Sequence, residues 1–154
     1  RMLWDRFERP WVYAQADGEA LSAALTKLKI RWLHCVSAYP APSEALNLAV
    51  VRDTTRRHDE SHQRVYAGFS DHSDPASTWT GALAVAAGAG IVEAHLRLDG
   101  TDPANPDYPH AMTPRQFAEY VANIRSAEVC LGTGERQLQP CEEPMARYRV
   151  SGKR

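Results

Sequence analysis

Val65-Tyr66-Ala67-Gly68-Phe69-Ser70-Asp71-His72, and nineteen positions further on Ile91-Val92-Glu93-Ala94-His95, bound the stretch whose reading decides the fold. Each is an apolar, strand-like run that closes on two polar side chains two residues apart. In a strand that spacing puts both side chains on one face. Between the runs, Ala76 to Ala87 is rich in alanine and small residues and predicts a tightly packed helix, stopped by Gly88 and Gly90. Strand, helix and strand at this separation form the repeating unit of a parallel sheet with right-handed crossovers.

The same alternation extends outward. Upstream, Trp11-Val12-Tyr13-Ala14 predicts a first strand. Gly18 to Lys29, with Leu21, Leu25 and Leu28 at helical spacing and Asp17 as cap, predicts a helix. Ile30 to Val36 is a second strand. The proline-rich turn Tyr39-Pro40-Ala41-Pro42-Ser43 leads into a helix expected from Glu44 to about His58, with Leu46, Leu48 and Val51 partly buried. Val65 to Phe69 is the third strand and Ile91 to Leu96 the fourth. A loop from Asp99 to Met112 follows. Thr113 as cap and Pro114 at the first position open the last helix, whose apolar stripe reads as Phe117, Val121, Ile124 and Leu131. Beyond Gly132 the chain is irregular and polar.

Four strand–helix units, with apolar strands covered on both faces, make an α/β fold with a parallel sheet. A (β/α)8 barrel needs eight such units and roughly 250 residues. Four units make half of such a barrel, with a four-stranded open sheet as the alternative. The 154 residues hold one core, and the ends, Arg1 and the polar Ser151 to Arg154, lead to the expectation of a fragment of a longer protein. A net charge of −1 with scattered basic residues predicts no nucleic-acid surface, and no apolar run approaches bilayer length. Cys35, Cys130 and Cys141 have neither paired nor metal-ligand spacing and read as reduced thiols of a cytoplasmic protein. The sequence has no internal repeat and no glycine-rich phosphate loop.

In parallel α/β folds chemistry collects at the carboxyl ends of the strands. Ser37 and Tyr39, Ser70 and His72, and Glu93 and His95 share one parity there. Neighbouring strands lie about 4.8 Å apart, so His72 and His95 are in reach of one ion. Two imidazoles suit Mn²⁺, Co²⁺ or Zn²⁺ better than Mg²⁺ or Ca²⁺. The competing reading is a pair of solvated strand-end histidines. Asp71 points to the opposite face and is expected to cap the following loop or helix. His34 is expected to pack between strand and helix. His58, His62 and His110 read as surface residues, and Trp11, Tyr13 and Trp32 as core. The loop from Asp99 to Asp107 lacks the spaced ligands of a calcium loop.

These strings carry a family resemblance. Leu33-His34-Cys35-Val36-Ser37-Ala38-Tyr39-Pro40-Ala41-Pro42, then Leu46-Asn47-Leu48, resembles the "LHC-x-S-x-YP-x-P…NL" segment of the sialic acid synthases. Gly68-Phe69-Ser70-Asp71-His72-Ser73 is similar to their "GLSDHT", and Gly88 to His95 to their "GA-x-x-x-E-x-H". Asp99 to Asp107 with Met112-x-Pro114 resembles "LDR…GPDH…L-x-P", and the last helix, ending in Leu131-Gly132, resembles "IR…E…LG". Order and spacing hold from about Pro10 to Glu143.

The resemblance implies a TIM-barrel transferase, of which this chain would be the C-terminal half of the barrel. It condenses phosphoenolpyruvate with an open-chain N-acetylated hexose, N-acetylmannosamine or a related sugar, to a nine-carbon 2-keto sugar acid and phosphate. It implies a divalent ion on His72 and His95, Mn²⁺ first, with Co²⁺ or Mg²⁺ as alternatives. Glu93 and Ser70 would be catalytic residues lining the pocket; Ser37, Tyr39 and Asp107 would bind substrate. Residues 1–136 would be the barrel half, and 137–154 the start of a linker to a further domain. The full-length protein would be a homodimer, and this chain alone inactive. Three departures from the pattern stand out: Ala14-Gln15-Ala16 in place of Ser-Thr-Gly, Ala94 in place of a basic residue, and Tyr108 in place of a histidine. A non-catalytic binding or assembly module, and another metal-dependent sugar-converting barrel, remain alternatives.

Overall fold

The structure, a computed structural model, describes residues 32–60 and 67–148. The expected strand Trp11–Ala14, the helix Gly18–Lys29, Ala14-Gln15-Ala16, Ile30, His62, Val65 and Tyr66 lie outside the described residues.

Among the described residues, three strands form one parallel sheet: β1 (Trp32–Cys35), β2 (Ala67–Asp71) and β3 (Ile91–Ala94), side by side in chain order. The middle strand β2 is buried at all five residues, which its mostly apolar sequence demands once both faces are covered. In register Cys35 sits opposite Ser70, and Ser70 opposite Glu93, so the strand ends align. The core is Ala41, Leu46, Val51, Ala67, Phe69, Ala84 and Ala89, with Trp32, Val36, Leu48 and Val92 packed against it. Full burial of Phe69 alone contributes about 1.5–3 kcal/mol.

Three α-helices among the described residues accompany the sheet: α1 (Ala49–Glu60), α2 (Thr80–Ala86) and α3 (Pro114–Leu131). α1 does not begin at Glu44. A single 3-10 turn spans Ser43–Ala45, and Asn47 then takes φ 44°, a left-handed conformation that Asn tolerates better than most residues. The break turns Leu46 into the core and aims its carbonyl at His34, whose Nε2 lies 2.8 Å away. His34 thus meets the turn that precedes α1, with its ring stacked on Phe69.

α2 is also shorter than its alanine content predicts. The Asp74 side chain accepts from Ala76 N at 2.8 Å, and the Asp74 carbonyl accepts from Ser77 N at 2.7 Å. These local bonds hold Pro75 to Trp79 in turns and delay the helix to Thr80. α3 starts as expected: Thr113 and Gln116 form a reciprocal capping box with Pro114 at the first position.

Its buried face differs from the expected stripe. Tyr120 is buried, whereas Val121 and Leu131 are exposed. Gly81 of α2 makes this possible, because a Cβ there would run into the Tyr120 ring. Past Gly132 the described residues close with a 3-10 segment, Pro140–Tyr148, where no regular element was expected. No helix among the described residues is long and apolar enough to cross a membrane.

Candidate metal centre

The aligned ends of β2 and β3 bring their polar pairs together. Ser70 Oγ donates to Glu93 Oε2 at 2.5 Å. One step past the strands, the His72 and His95 rings lie 5.2 Å apart, centre to centre.

Two loops close over them. After β1, Ala41 N donates to the His72 carbonyl at 2.7 Å, which sets the Tyr39 ring 4.4 Å from the His72 ring. After β3 the long loop doubles back. Met112 N donates to the His95 carbonyl, and Arg97 N to the Met112 carbonyl, both at 2.9 Å. That bridge holds the turn from Asp107 to His110 against His95: the His95 and His110 rings are 4.5 Å apart, and Tyr39 is 4.6 Å from His110.

Hydrogen bonds decide which nitrogens carry lone pairs. His72 Nδ1 lies 3.0 Å from the Val36 carbonyl, which only accepts, so Nδ1 holds the hydrogen and Nε2 the lone pair. Ser70 Oγ is 3.4 Å from that Nε2, but its hydrogen is committed to Glu93. The Nε2 lone pair of His72 therefore faces the centre of the cluster unused. His95 sits between two carboxylates: Nε2 is 3.9 Å from Glu93 Oε1, and Nδ1 is 3.6 Å from Asp107 Oδ2.

His110 is 3% exposed, and neither of its ring nitrogens has a hydrogen-bond partner. Asp107 Oδ1, at 3.7 Å from Nε2, is too far to serve as one. Burial first, and then the neighbouring His95, push its pKa below the ordinary imidazole value, against the pull of Asp107. The shift favours the neutral imidazole, the form that binds metals.

Two sets of three residues are arranged to take a cation: His72, Glu93 and His95, and His95, Asp107 and His110. Within each, the ligand atoms lie within 4.8 Å of one another. Donors on opposite sides of an ion, each about 2.1 Å away, are about 4.2 Å apart, so a small side-chain shift brings either set to coordination distance. Two imidazoles and a carboxylate are a donor set for Zn²⁺, Mn²⁺, Co²⁺ or Fe²⁺, with positions left for substrate. The orphaned nitrogens of His110 and the open Nε2 of His72 fit such an ion.

Of the residues singled out in the sequence, Tyr39, Ser70, His72, Glu93, His95 and Asp107 are gathered here, while Ser37 is exposed and joins none of these contacts. His110 corrects the surface reading. It is buried against three aromatic rings because the bridge between Leu96 and Met112 folds its loop inward. The visible signal was its spacing of three from Asp107 in a proline turn. Asp71 faces away, as expected, and ties down both the loop and the helix: it accepts from Ser73 N at 2.9 Å, from Tyr120 OH at 2.7 Å and from Thr80 Oγ1. Cys35 Sγ lies 3.6 Å from His72 Nδ1, and no disulfide joins the three cysteines.

The model of the NeuB family matches residues 16–136. The chain belongs to the NeuB family. This NeuB-family chain is 36% identical over 113 residues to an N,N'-diacetyllegionaminic acid synthase of Legionella pneumophila, covering 73% of this chain and 30% of that one. It is 33% identical over 111 residues to the human N-acetylneuraminate-9-phosphate synthase, covering 72% and 29%. It also resembles the crystal structure of an N-acetylneuraminic acid (sialic acid) synthetase from Leptospira borgpetersenii in complex with citrate. There the TM-score is 0.71 at 28% identity, over 92% of this chain and 48% of that one. The chain thus spans about a third of the length of the two named synthases. The α/β fold with a parallel sheet is that of NeuB synthase structures, and the family is one of sugar-acid synthases.

Proposed function

We propose that the full-length protein carrying these residues is a sialic-acid-synthase-like transferase. It condenses phosphoenolpyruvate with an N-acetylated hexose to a nine-carbon 2-keto sugar acid and releases phosphate. The single observation behind this reading is the convergence of Ser70, His72, Glu93 and His95 at adjacent strand ends, in a chain whose named relatives are sugar-acid synthases.

The fold reading goes with it. Strands paired in chain order, with no reversal, are what a barrel requires; a doubly wound sheet reverses at its switch point. Residues 1–136 are taken as half of a TIM barrel and 137–154 as the start of a linker, in keeping with a family match that ends at residue 136. The other four units come from elsewhere in the full-length protein, which acts as a cytoplasmic homodimer, and this chain alone does not turn over substrate.

In this reading His72 and His95 hold a divalent ion, Mn²⁺ in the first place. Such an ion, when bound, polarises the sugar's carbonyl as a Lewis acid. The chain's own residues do the rest. Val36 fixes the His72 tautomer. The Ser70 hydroxyl donates to Glu93 at the pocket wall, where Glu93 can accept or return a proton. Asp107, half exposed on its loop, accepts from sugar hydroxyls; the Tyr39 ring covers His72, and Tyr39 and Ser37 are assigned to substrate binding by the family resemblance alone.

The test is phosphate release by the full-length protein. Release from phosphoenolpyruvate only when an N-acetylated hexose is added is expected. Release without sugar, or none with any such sugar, would favour a different metal-dependent barrel chemistry or a non-catalytic module.

A further inference from the structure

We propose that His95, Asp107 and His110 form a second cation site for a borderline transition metal, an alternative to the site on His72, Glu93 and His95. The two sites share His95 and compete for one ion.

Three observations carry this. His110 is almost wholly buried, and both of its ring nitrogens lack a partner, an arrangement that costs stability unless the group serves a ligand. Its ligand atom lies within 4.8 Å of those of His95 and Asp107, a complete two-imidazole, one-carboxylate set. The backbone builds the set deliberately. Asn105 Oδ1 accepts from Asp107 N at 2.9 Å, and the Asp107 carbonyl accepts from His110 N at 3.2 Å and from Ala111 N at 2.9 Å. Asp107 and His110 are thereby fixed on one side of a tight turn, pressed onto His95 by the Met112 bridge.

Competition follows from the chemistry of the shared ring. His95 turns Nε2 toward Glu93 and Nδ1 toward Asp107. A neutral imidazole has a single lone pair, so its tautomer selects the set it serves. With the hydrogen on Nδ1, His95 joins His72 and Glu93, and its N–H faces Asp107. With the hydrogen on Nε2, it joins Asp107 and His110, and its N–H faces Glu93. His110 stands outside the "GPDH…L-x-P" pattern that this loop otherwise resembles, where a histidine follows the aspartate directly; Tyr108 occupies that position here. The second set is thus a property of this chain's own residues. It shares a residue with the proposed synthase site but does not depend on the synthase reaction.

The experiment is equilibrium Co²⁺ binding to the metal-stripped full-length protein, read by stoichiometry and by the visible Co²⁺ spectrum. One ion per chain is expected in the wild type. His72→Ala should still bind one ion, with a changed spectrum. Adding Asp107→Asn or His110→Gln to His72→Ala should weaken binding at least the roughly 10-fold that losing even an outer-shell partner costs. Asp107 is half exposed, so its variant keeps the fold even if the buried His110 variant does not. Loss of all Co²⁺ binding in His72→Ala alone would overturn the second site and leave the first standing. Equal affinity in His72→Ala and His72→Ala/Asp107→Asn would also overturn it. A wild-type stoichiometry of two would overturn the competition. If His72→Ala binds as the wild type does, and Asp107→Asn alone removes binding, the second site holds and the first fails.

Discussion

Asp71 and His72 are chain neighbours at the end of β2, 3% and 6% exposed, and their surroundings are opposites. The Asp71 face is saturated. Its carboxylate takes a backbone N–H from Ser73 and hydroxyls from Thr80 and Tyr120, which join the sheet to α2 and α3. The His72 face is unsaturated: His72 keeps an open lone pair, His95 stands between two carboxylates at long range, and His110 has two orphaned nitrogens. Buried polar groups that serve only the fold satisfy one another. Those left incomplete keep donor atoms free for a bound ion. The period-two geometry of a strand makes both possible within two residues, since successive side chains face opposite layers.

The largest effect should come from breaking the saturated face. Asp71→Ala leaves three buried donors without their charged acceptor and should cost at least about 3 kcal/mol in urea denaturation; an unchanged midpoint would contradict its structural role. Tyr120→Phe removes one of those bonds and should cost about 1.5–3 kcal/mol.

The same pair gives a pH signature. Burial and the Asp71 carboxylate raise the Tyr120 pKa well above its ordinary value of 10.0. The unfolded chain therefore loses that proton first, and the stability it contributes is full below about pH 10 and declines above it. The gap between wild type and Tyr120→Phe should narrow as pH rises past 10, and a constant gap would remove the ionisation argument. On the unsaturated face, His95→Ala should change metal-free stability by less than about 1 kcal/mol, because few native bonds depend on it. A loss as large as that of Asp71→Ala would erase the distinction between the faces.

How much of this was legible in the sequence depended on periodicity. The strand ends were readable because spacing by two is enough to put Ser70 beside His72 and Glu93 beside His95. The start of α3 was readable from Thr113 and Pro114. The start of α2 was not, because Asp74 and Ser77 divert the backbone into turns that alanine content does not reveal. Neither was the face of α3: Tyr120 displaces the apolar stripe because its hydroxyl has a buried carboxylate to reach and Gly81 leaves room for its ring. His110 was hidden for a third reason. A loop has no period, and the burial of this histidine is set by a bridge between Leu96 and Met112 that only the tertiary fold creates.

The central claim is that the unsaturated face is a metal centre. Its most direct test is Mn²⁺ calorimetry of the full-length, metal-stripped protein beside the His72→Ala/His95→Ala double variant, which disables both ligand sets at once. Binding of one ion in the wild type and none in the variant is predicted. Equal affinity in the two proteins, with both folded, would contradict the account.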